Sequence, residues 1–146
     1  KNDQICKIIF EEKMPSYLDN LKLKKSQLLK SNGNKVLRRS SNQIREYFLK
    51  KRNIFDIAFE ISLPPFYQKV LNEVIKIPYG EVRTYSDIAN KAGNPNAYRA
   101  TGTANAKNMI PIIIPCHRFV RNNGDLGGYG GGLKIKKYLL KMEGVI

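Results

Sequence analysis

Ile110-Pro111-Ile112-Ile113-Ile114-Pro115-Cys116-His117-Arg118 is the stretch on which the reading of the chain turns. An apolar run meets a proline, and three reactive or charged residues follow. Ile112 to Ile114 are β-branched and predict a buried strand. Pro115 has no N–H to give a ladder and is pre-set for the first turn of a helix, so it ends that strand. Cys116 then falls at a helix or turn N-terminus, where free N–H groups and the dipole favour a thiolate. The expectation is an activated cysteine at the end of a buried strand. A cysteine after an apolar run is also commonly an inert buried thiol. Adjacent side chains on a strand point to opposite faces, so Cys–His cooperation there needs a bend or a bridging water.

Composition narrows the class. The chain has 146 residues, is 42% hydrophobic and carries 26 Lys and Arg against 12 Asp and Glu, a formal charge of +14. That size suits one domain or two small subdomains. The unpaired positive charge points to a polyanion, nucleic acid first, although lysine-rich surfaces also serve solubility. Two cysteines, Cys6 and Cys116, and a single histidine offer neither a disulfide framework nor a Cys/His zinc set. No signal peptide or membrane-length apolar run is visible, and a reduced intracellular setting is expected.

Outward from the central stretch, residues 1–62 read as a small structural α/β subdomain. Ile5 to Phe10 predicts a strand, Val36-Leu37 a short one, and Phe55, Ile57, Phe59 and Ile61 alternate as in a half-buried strand. The state of Tyr17 to Lys30 stays open. Ser31-Asn32-Gly33-Asn34 is a turn by composition, and Ser40 or Ser41 is expected to cap a helix to about Lys51 with Ile44, Tyr47 and Phe48 on one face. No chemistry is identified in this part.

Pro64-Pro65 marks a boundary, and residues 63–146 read as a mostly helical second domain. Phe66 to Ile77 is an amphipathic helix. Ser86 is expected to cap a short helix, Asp87 to Lys91, stopped at Gly93, and a second helix runs from about Asn96 to Ala106. The pair suggests helix-turn-helix. The second helix is rich in small residues, which suits either close approach to a minor groove or close helix packing. Exposed Arg99 and the basic chain favour DNA. After the turn Asn122 to Asp125, the run Leu126 to Gly132 is glycine-rich but lacks the Lys-Ser/Thr of a P-loop. The last helix, Leu133 to Met142, ends at Glu143, an acid where the dipole disfavours one. That misplaced charge is a candidate functional residue.

Taken together, Gly80-Glu81-Val82-Arg83-Thr84-Tyr85, Gly93-Asn94-Pro95 through Arg99-Ala100, Ile114-Pro115-Cys116-His117-Arg118, Gly131-Gly132-Leu133 and Glu143-Gly144 closely resemble the O6-alkylguanine-DNA alkyltransferases. These are the methylated-DNA–protein-cysteine methyltransferases. The resemblance covers about residues 66 to 144 and is loose before residue 60. It implies an α+β fold with an RNase H-like N-terminal subdomain. It also implies an irreversible, single-use transfer of the alkyl group of O6-alkylguanine, and of O4-alkylthymine, to the protein's own cysteine.

Carried over by the resemblance, Cys116 is the acceptor. His117 takes its proton through a water, Glu143 orients His117, and Asn108 bridges the recognition helix and the active-site strand. Tyr85 lies near the 3′ phosphate, Arg99 fills the vacated stack, and Tyr129 donates toward the guanine O6. Thr84 and Ala100 fall within the matched DNA-contacting motifs. Gly130 replaces a serine of many members, which implies a more open pocket. Arg118 is expected to be structural, pairing with an acid not yet identified. No cofactor and no metal are expected. The expected partner is double-stranded DNA containing alkylated guanine, with no membrane, the protein acting as a monomer in the cytoplasm, or in the nucleus of a eukaryote. Two other readings stay open: a binding-only lesion sensor of the same fold, and an unrelated Cys–His hydrolase.

Overall fold

The structure, a computed structural model, describes residues 4–10, 13–20 and 34–146, except for the side chain of Tyr17. The open segment beyond Asn20 and most of the expected Ser31–Asn34 turn lie outside the described residues. Among the described residues six α-helices follow one another: α1 (Met14–Asn20), α2 (Lys35–Phe48), α3 (Pro65–Ile75), α4 (Tyr85–Lys91), α5 (Tyr98–Ala106) and α6 (Leu133–Met142). Two short strands, β1 (Arg83–Thr84) and β2 (Phe119–Val120), pair in parallel with Arg83 opposite Phe119. The architecture is α+β, mostly helical, with a small sheet. Among the described residues no helix is long and apolar enough to cross a membrane.

The central stretch departs from its expected state. Every residue from 110 to 120 is buried, but Ile112 to Ile114 form no strand. The chain folds back on itself, with a bridge between Pro111 and Ile114, a bond from Ile114 N to Ile110 O, and Ile112 at φ 74. Two prolines explain this: Pro111 and Pro115 each lack an N–H, and the three residues between them cannot complete a ladder. Asn108 supplies partners instead, its amide donating to Ile114 O at 2.9 Å and its carbonyl accepting from Ile110 N at 2.9 Å. A β-branched residue at positive φ is strained. Ile112 stays there because its side chain is held in an apolar cluster with Tyr47, Leu139 and Met142.

Three other expectations shift. Val36 and Leu37 belong to helix α2, not to a strand, and the helix is capped by Asn34, whose side chain accepts from Leu37 N, not by Ser40 or Ser41. Ser40 lies inside the helix and bonds back to Val36 O. Its buried residues are Ser40, Gln43 and Tyr47, while Phe48 is exposed. Helix α4 begins two residues early: Thr84, not Ser86, is its N-cap, with a reciprocal Thr84–Asp87 capping box. The expected alternation from Phe55 to Ile61 appears in burial, Asp56, Ala58 and Glu60 being exposed. The pairing, however, shrinks to a parallel bridge from Ile5 to Phe59.

Helices α3, α4 and α5 pack mutually around Val70, Val74, Ile88 and Ala104, and Ile5 and Ile57 enter the same core. Helix α4 stops at Ala92, and Gly93 turns the chain at φ +88, a conformation that leaves the Cβ of an L residue strained. This turn delivers α5 with Thr101, Ala104 and Asn105 inward and Arg99 and Thr103 outward. The inward face meets the expectation of close helix packing. The β1–β2 pairing brings the head of α4 beside the turn that holds Cys116, and Tyr85 lies on Phe119 with ring centroids 5.0 Å apart.

Thr84→Ala removes the acceptor for Asp87 N and half of the capping box. The expected cost is about 1 kcal/mol, read as a lower urea midpoint at unchanged slope. An unmoved midpoint would mean that tertiary packing alone holds the helix start.

Candidate active site

Pro115 leads into a three-residue 3-10 turn, Cys116–Arg118, which places three consecutive side chains in different surroundings. This is the bend that an adjacent Cys and His require. All three are buried, Cys116 at 4%, His117 at 0% and Arg118 at 4% exposure. Cys116 lines a pocket of about 270 Å³ with Asn108, Tyr129, Gly130 and Gly131, closed on one side by Phe10 and Met109. His117 and Arg118 turn the other way, toward the end of α6.

There they meet Glu143, which is buried. His117 Nε2 lies 2.8 Å from Glu143 Oε1, and Arg118 donates from Nη2 to Oε1 and from Nε to Oε2, both at 2.9 Å. Arg118 Nη1 also donates to Ile77 O at 2.6 Å. The acid that Arg118 was expected to pair with is therefore Glu143. The same pairing accounts for an acid at a helix C-terminus: a bidentate guanidinium offsets the unfavourable dipole. A further donor comes from α2. Tyr47, fully buried, donates its hydroxyl to Glu143 Oε1 at 2.5 Å. This donor comes from the N-terminal part of the chain, in which the sequence pointed to no chemistry.

The protonation states follow. Burial alone would raise the Glu143 carboxyl, but the hydrogen bonds from His117, Arg118 and Tyr47 outweigh it and hold the group down at about 2. An ionised carboxylate only accepts, so Nε2 of His117 carries the proton. Burial lowers the imidazole below its ordinary value, with Arg118 and Lys136 acting in the same direction and Glu143 opposing. The ring is neutral near pH 7 and its basic lone pair is on Nδ1, a buried atom without a hydrogen-bond partner among the described residues. Histidine in this state is a general base.

Cys116 differs from its expected state. Burial pushes the thiol up to about 11, against weaker lowering by Asn108, the local backbone, Lys136 and Tyr129. The 3-10 turn is too short to present a helix terminus that would offset desolvation. The resting group is a thiol, and a base is needed to activate it. The buried Tyr129 hydroxyl has no partner within ordinary hydrogen-bond geometry among the described residues, yet it lies near enough to Cys116 for each to shift the other. Its own ionisation is raised far above the phenol range, so it remains a donor.

The glycine-rich run is fixed from behind by Lys136. This lysine is fully buried and donates Nζ to the carbonyls of Phe119, Leu126 and Gly128. Burial lowers its ammonium to about 8. Lys136 and Tyr47 are the two residues that sequence reasoning missed. A signal existed for Lys136, since it shares the buried stripe of α6 with Leu139 and Leu140 at helical spacing. None existed for Tyr47 beyond its place on an amphipathic face.

The remaining expected residues fall in two groups. Asn108, Tyr129 and Gly130 share the Cys116 pocket. Tyr85 and Arg99 line a neighbouring, more open depression with Gly102, Arg121 and Gly128. Thr84 caps α4, and Ala100 lies half-exposed on α5 beside the outward-facing Arg99. Tyr85 and the loop approach closely: at Gly127, with φ +65, an added Cβ would stand 2.9 Å from the Tyr85 hydroxyl. At Gly130 an added Cβ meets nothing within 4 Å. Cys6 is exposed, and both cysteines are free.

The chain is similar to known proteins of one family. A family profile described as "6-O-methylguanine DNA methyltransferase, DNA binding domain" matches residues 65–145. The methylated-DNA–protein-cysteine methyltransferase of Methanosarcina acetivorans is 48% identical over 107 residues, 73% of this chain and 69% of that protein. Its counterpart in Methanosarcina barkeri is 43% identical over 135 residues, 90% of this chain and 85% of that one. The crystal structure of Mycobacterium tuberculosis OGT in complex with DNA superposes with a TM-score of 0.71 at 42% identity, covering 73% of this chain and 66% of that chain.

The Glu143 cluster sets an acid limit. A carboxyl lowered from 4.5 to about 2 contributes stability above pH 4.5 that is lost as pH falls toward about 2. His117 is lowered from 6.5, so the unfolded chain protonates first and stability also falls below pH 6.5. The melting temperature should decline in two stages between pH 7 and 3. Glu143→Gln should lose about 3–5 kcal/mol at pH 7 and show a shallower decline below pH 4.5, the remainder coming from carboxylates such as Asp87, which its hydrogen bonds to Thr84 also hold down. A wild-type melting temperature flat from pH 7 to 3 would contradict the ionised, paired state.

Proposed function

The chain belongs to the 6-O-methylguanine-DNA methyltransferase family, and from that membership we propose that it repairs DNA by moving the alkyl group of O6-alkylguanine to Cys116. The observation that carries the reading is a buried thiol lining a pocket, beside a neutral histidine whose proton is held on Nε2 by a carboxylate. That is the equipment for a single nucleophilic displacement and little else.

In the proposed reaction, His117 Nδ1 takes the Cys116 proton through one water. The sulfur attacks the alkyl carbon, a C–S bond forms, and the C–O6 bond breaks with its electron pair going to the guanine. Tyr129 donates toward O6 as that charge develops, its buried hydroxyl supporting this role. Glu143 balances the imidazolium, and Arg118 holds Glu143. Asn108 keeps the turn that carries Cys116 joined to the end of α5 through its bonds to Ile110 and Ile114. The product is a thioether with no route back to a thiol, so each chain acts once. O4-alkylthymine presents the same kind of O-alkyl carbon and is a second substrate.

A base inside a duplex cannot reach a buried sulfur, so the alkylated nucleotide is flipped. The proposed interface is the outer face of α5 with Arg99 and Ala100, the head of α4 with Thr84 and Tyr85, and the loop with Gly128 and Gly130. The charge of +14 suits a phosphate backbone. Arg99 enters the vacated stack and Tyr85 faces the adjoining phosphate. The protein acts as a monomer where DNA is found, in the cytoplasm or, in a eukaryote, the nucleus. Residues 1–62 are proposed as a separate RNase H-like subdomain. Support comes from the family match starting at residue 65 and from the extended chain bridging Ile5 and Phe59.

Intact mass after incubation with an O6-methylguanine duplex should rise by one methyl group, saturate at one per chain and map to Cys116. Cys116→Ala should bind the duplex and gain no mass. An unchanged wild-type mass with tight lesion binding would replace the transfer reading with a lesion sensor.

At Gly130 a serine side chain has open space to enter, and it would take up pocket volume. Gly130→Ser should therefore lower the transfer rate for a benzyl adduct relative to a methyl adduct severalfold, in single-turnover assays. An unchanged ratio would remove Gly130 from the control of alkyl size.

A further inference from the structure

Tyr47 has no part in the reaction as written, yet it makes the shortest contact to the carboxylate on which the reaction depends. Helix α2 lies outside the residues that the family profile matches. From it the Tyr47 hydroxyl reaches Glu143 Oε1 at 2.5 Å and stands 3.5 Å from His117 Nε2. Its ring is held in place by Phe48, Phe55 and Tyr79, with centroids 5.4, 5.5 and 6.1 Å away.

We infer that Tyr47 is a positioning residue: its hydroxyl fixes the orientation and tempers the charge of Glu143 Oε1, and so sets the basicity of His117 Nδ1. The inference deepens the proposed function and rests on it for its meaning. Oε1 accepts from three groups, the Tyr47 hydroxyl, His117 Nε2 and Arg118 Nη2. A carboxylate oxygen that holds a phenol has less charge left to stabilise an imidazolium. With Tyr47 in place His117 stays neutral to lower pH, as a base must before it accepts the thiol proton. The phenol itself cannot exchange roles, because burial and the neighbouring carboxylate keep it protonated. Among the described residues, the other ionisable groups around His117 are Arg118, Glu143, Lys136, the adjacent Cys116 and, edge-on at 6.4 Å, Tyr129. None of these has its bonds altered by removing the Tyr47 hydroxyl except Glu143.

The chain has one histidine, so its imidazole can be followed without assignment. With 15N-labelled histidine, ring nitrogen shifts report tautomer and titration together. The wild type should show the Nε2–H tautomer, titrating below 6.5. Tyr47→Phe keeps the ring and should move the titration upward by about one pH unit, the size of one lost charge-assisted bond. Phe55→Leu disturbs the packing of the same ring and should lower the melting temperature without moving the titration. A wild-type Nδ1–H tautomer would overturn the inference whatever the variants do. So would an unmoved titration in Tyr47→Phe, or an equal shift in Phe55→Leu. The readout is the imidazole, so failure here and failure to transfer an alkyl group are read separately.

Discussion

A single buried carboxylate holds the site together. Glu143 ends α6, where the helix dipole opposes it, and is removed from water, where desolvation opposes it again. It is ionised because four residues from three segments converge on it: Arg118 and His117 from the 3-10 turn, Tyr47 from α2, and at longer range the Gly80 amide at 3.5 Å. Removing any one donor leaves part of a buried charge uncompensated. The cluster therefore fixes the catalytic geometry and, at the same time, joins the N-terminal part of the chain to the C-terminal helix.

The electrostatics of the pocket separate storage from use. Cys116 is a neutral thiol at rest because desolvation outweighs the groups that favour a thiolate. A neutral thiol is a poor nucleophile. In the proposed reaction, reactivity comes from His117, whose other nitrogen Glu143 holds, and from a donor at the leaving oxygen. Lys136 acts one step further back, tying the carbonyls of β2 and the glycine-rich loop so that Tyr129 stays beside the sulfur. A protein that reacts once is served by a sulfur that is unreactive until an alkylated base brings these parts to bear.

Much of this was legible in the sequence, and the failures have physical causes. Helices α3 and α6 follow from apolar residues at helical spacing, which is a local signal, and α5 from the break at Gly93-Asn94-Pro95 that precedes it. The odd acid at position 143 could be singled out because it contradicts the dipole, and its contradiction is resolved by residues 25 and 26 positions away. The Ile112–Ile114 run misled because β-branched propensity is read residue by residue, while the two flanking prolines decide whether a ladder can form at all. Ser40 and Ser86 were plausible caps by type. Asn34 and Thr84 took the positions because the apolar stripes of α2 and α4 begin earlier than the serines suggest.

Tyr47 marks the limit of such reading. An aromatic residue at this place on an amphipathic helix is fully explained by packing against Phe55 and Tyr79. Its second role depends on a hydroxyl meeting a carboxylate 96 residues later. A phenol serves both ends, since its ring satisfies an apolar site and its hydroxyl satisfies a buried acceptor. Phenylalanine would satisfy the first demand and leave Oε1 short of a donor. The pattern of hydrophobic and polar residues cannot distinguish the two, because the difference is one oxygen whose partner is fixed only by the tertiary fold.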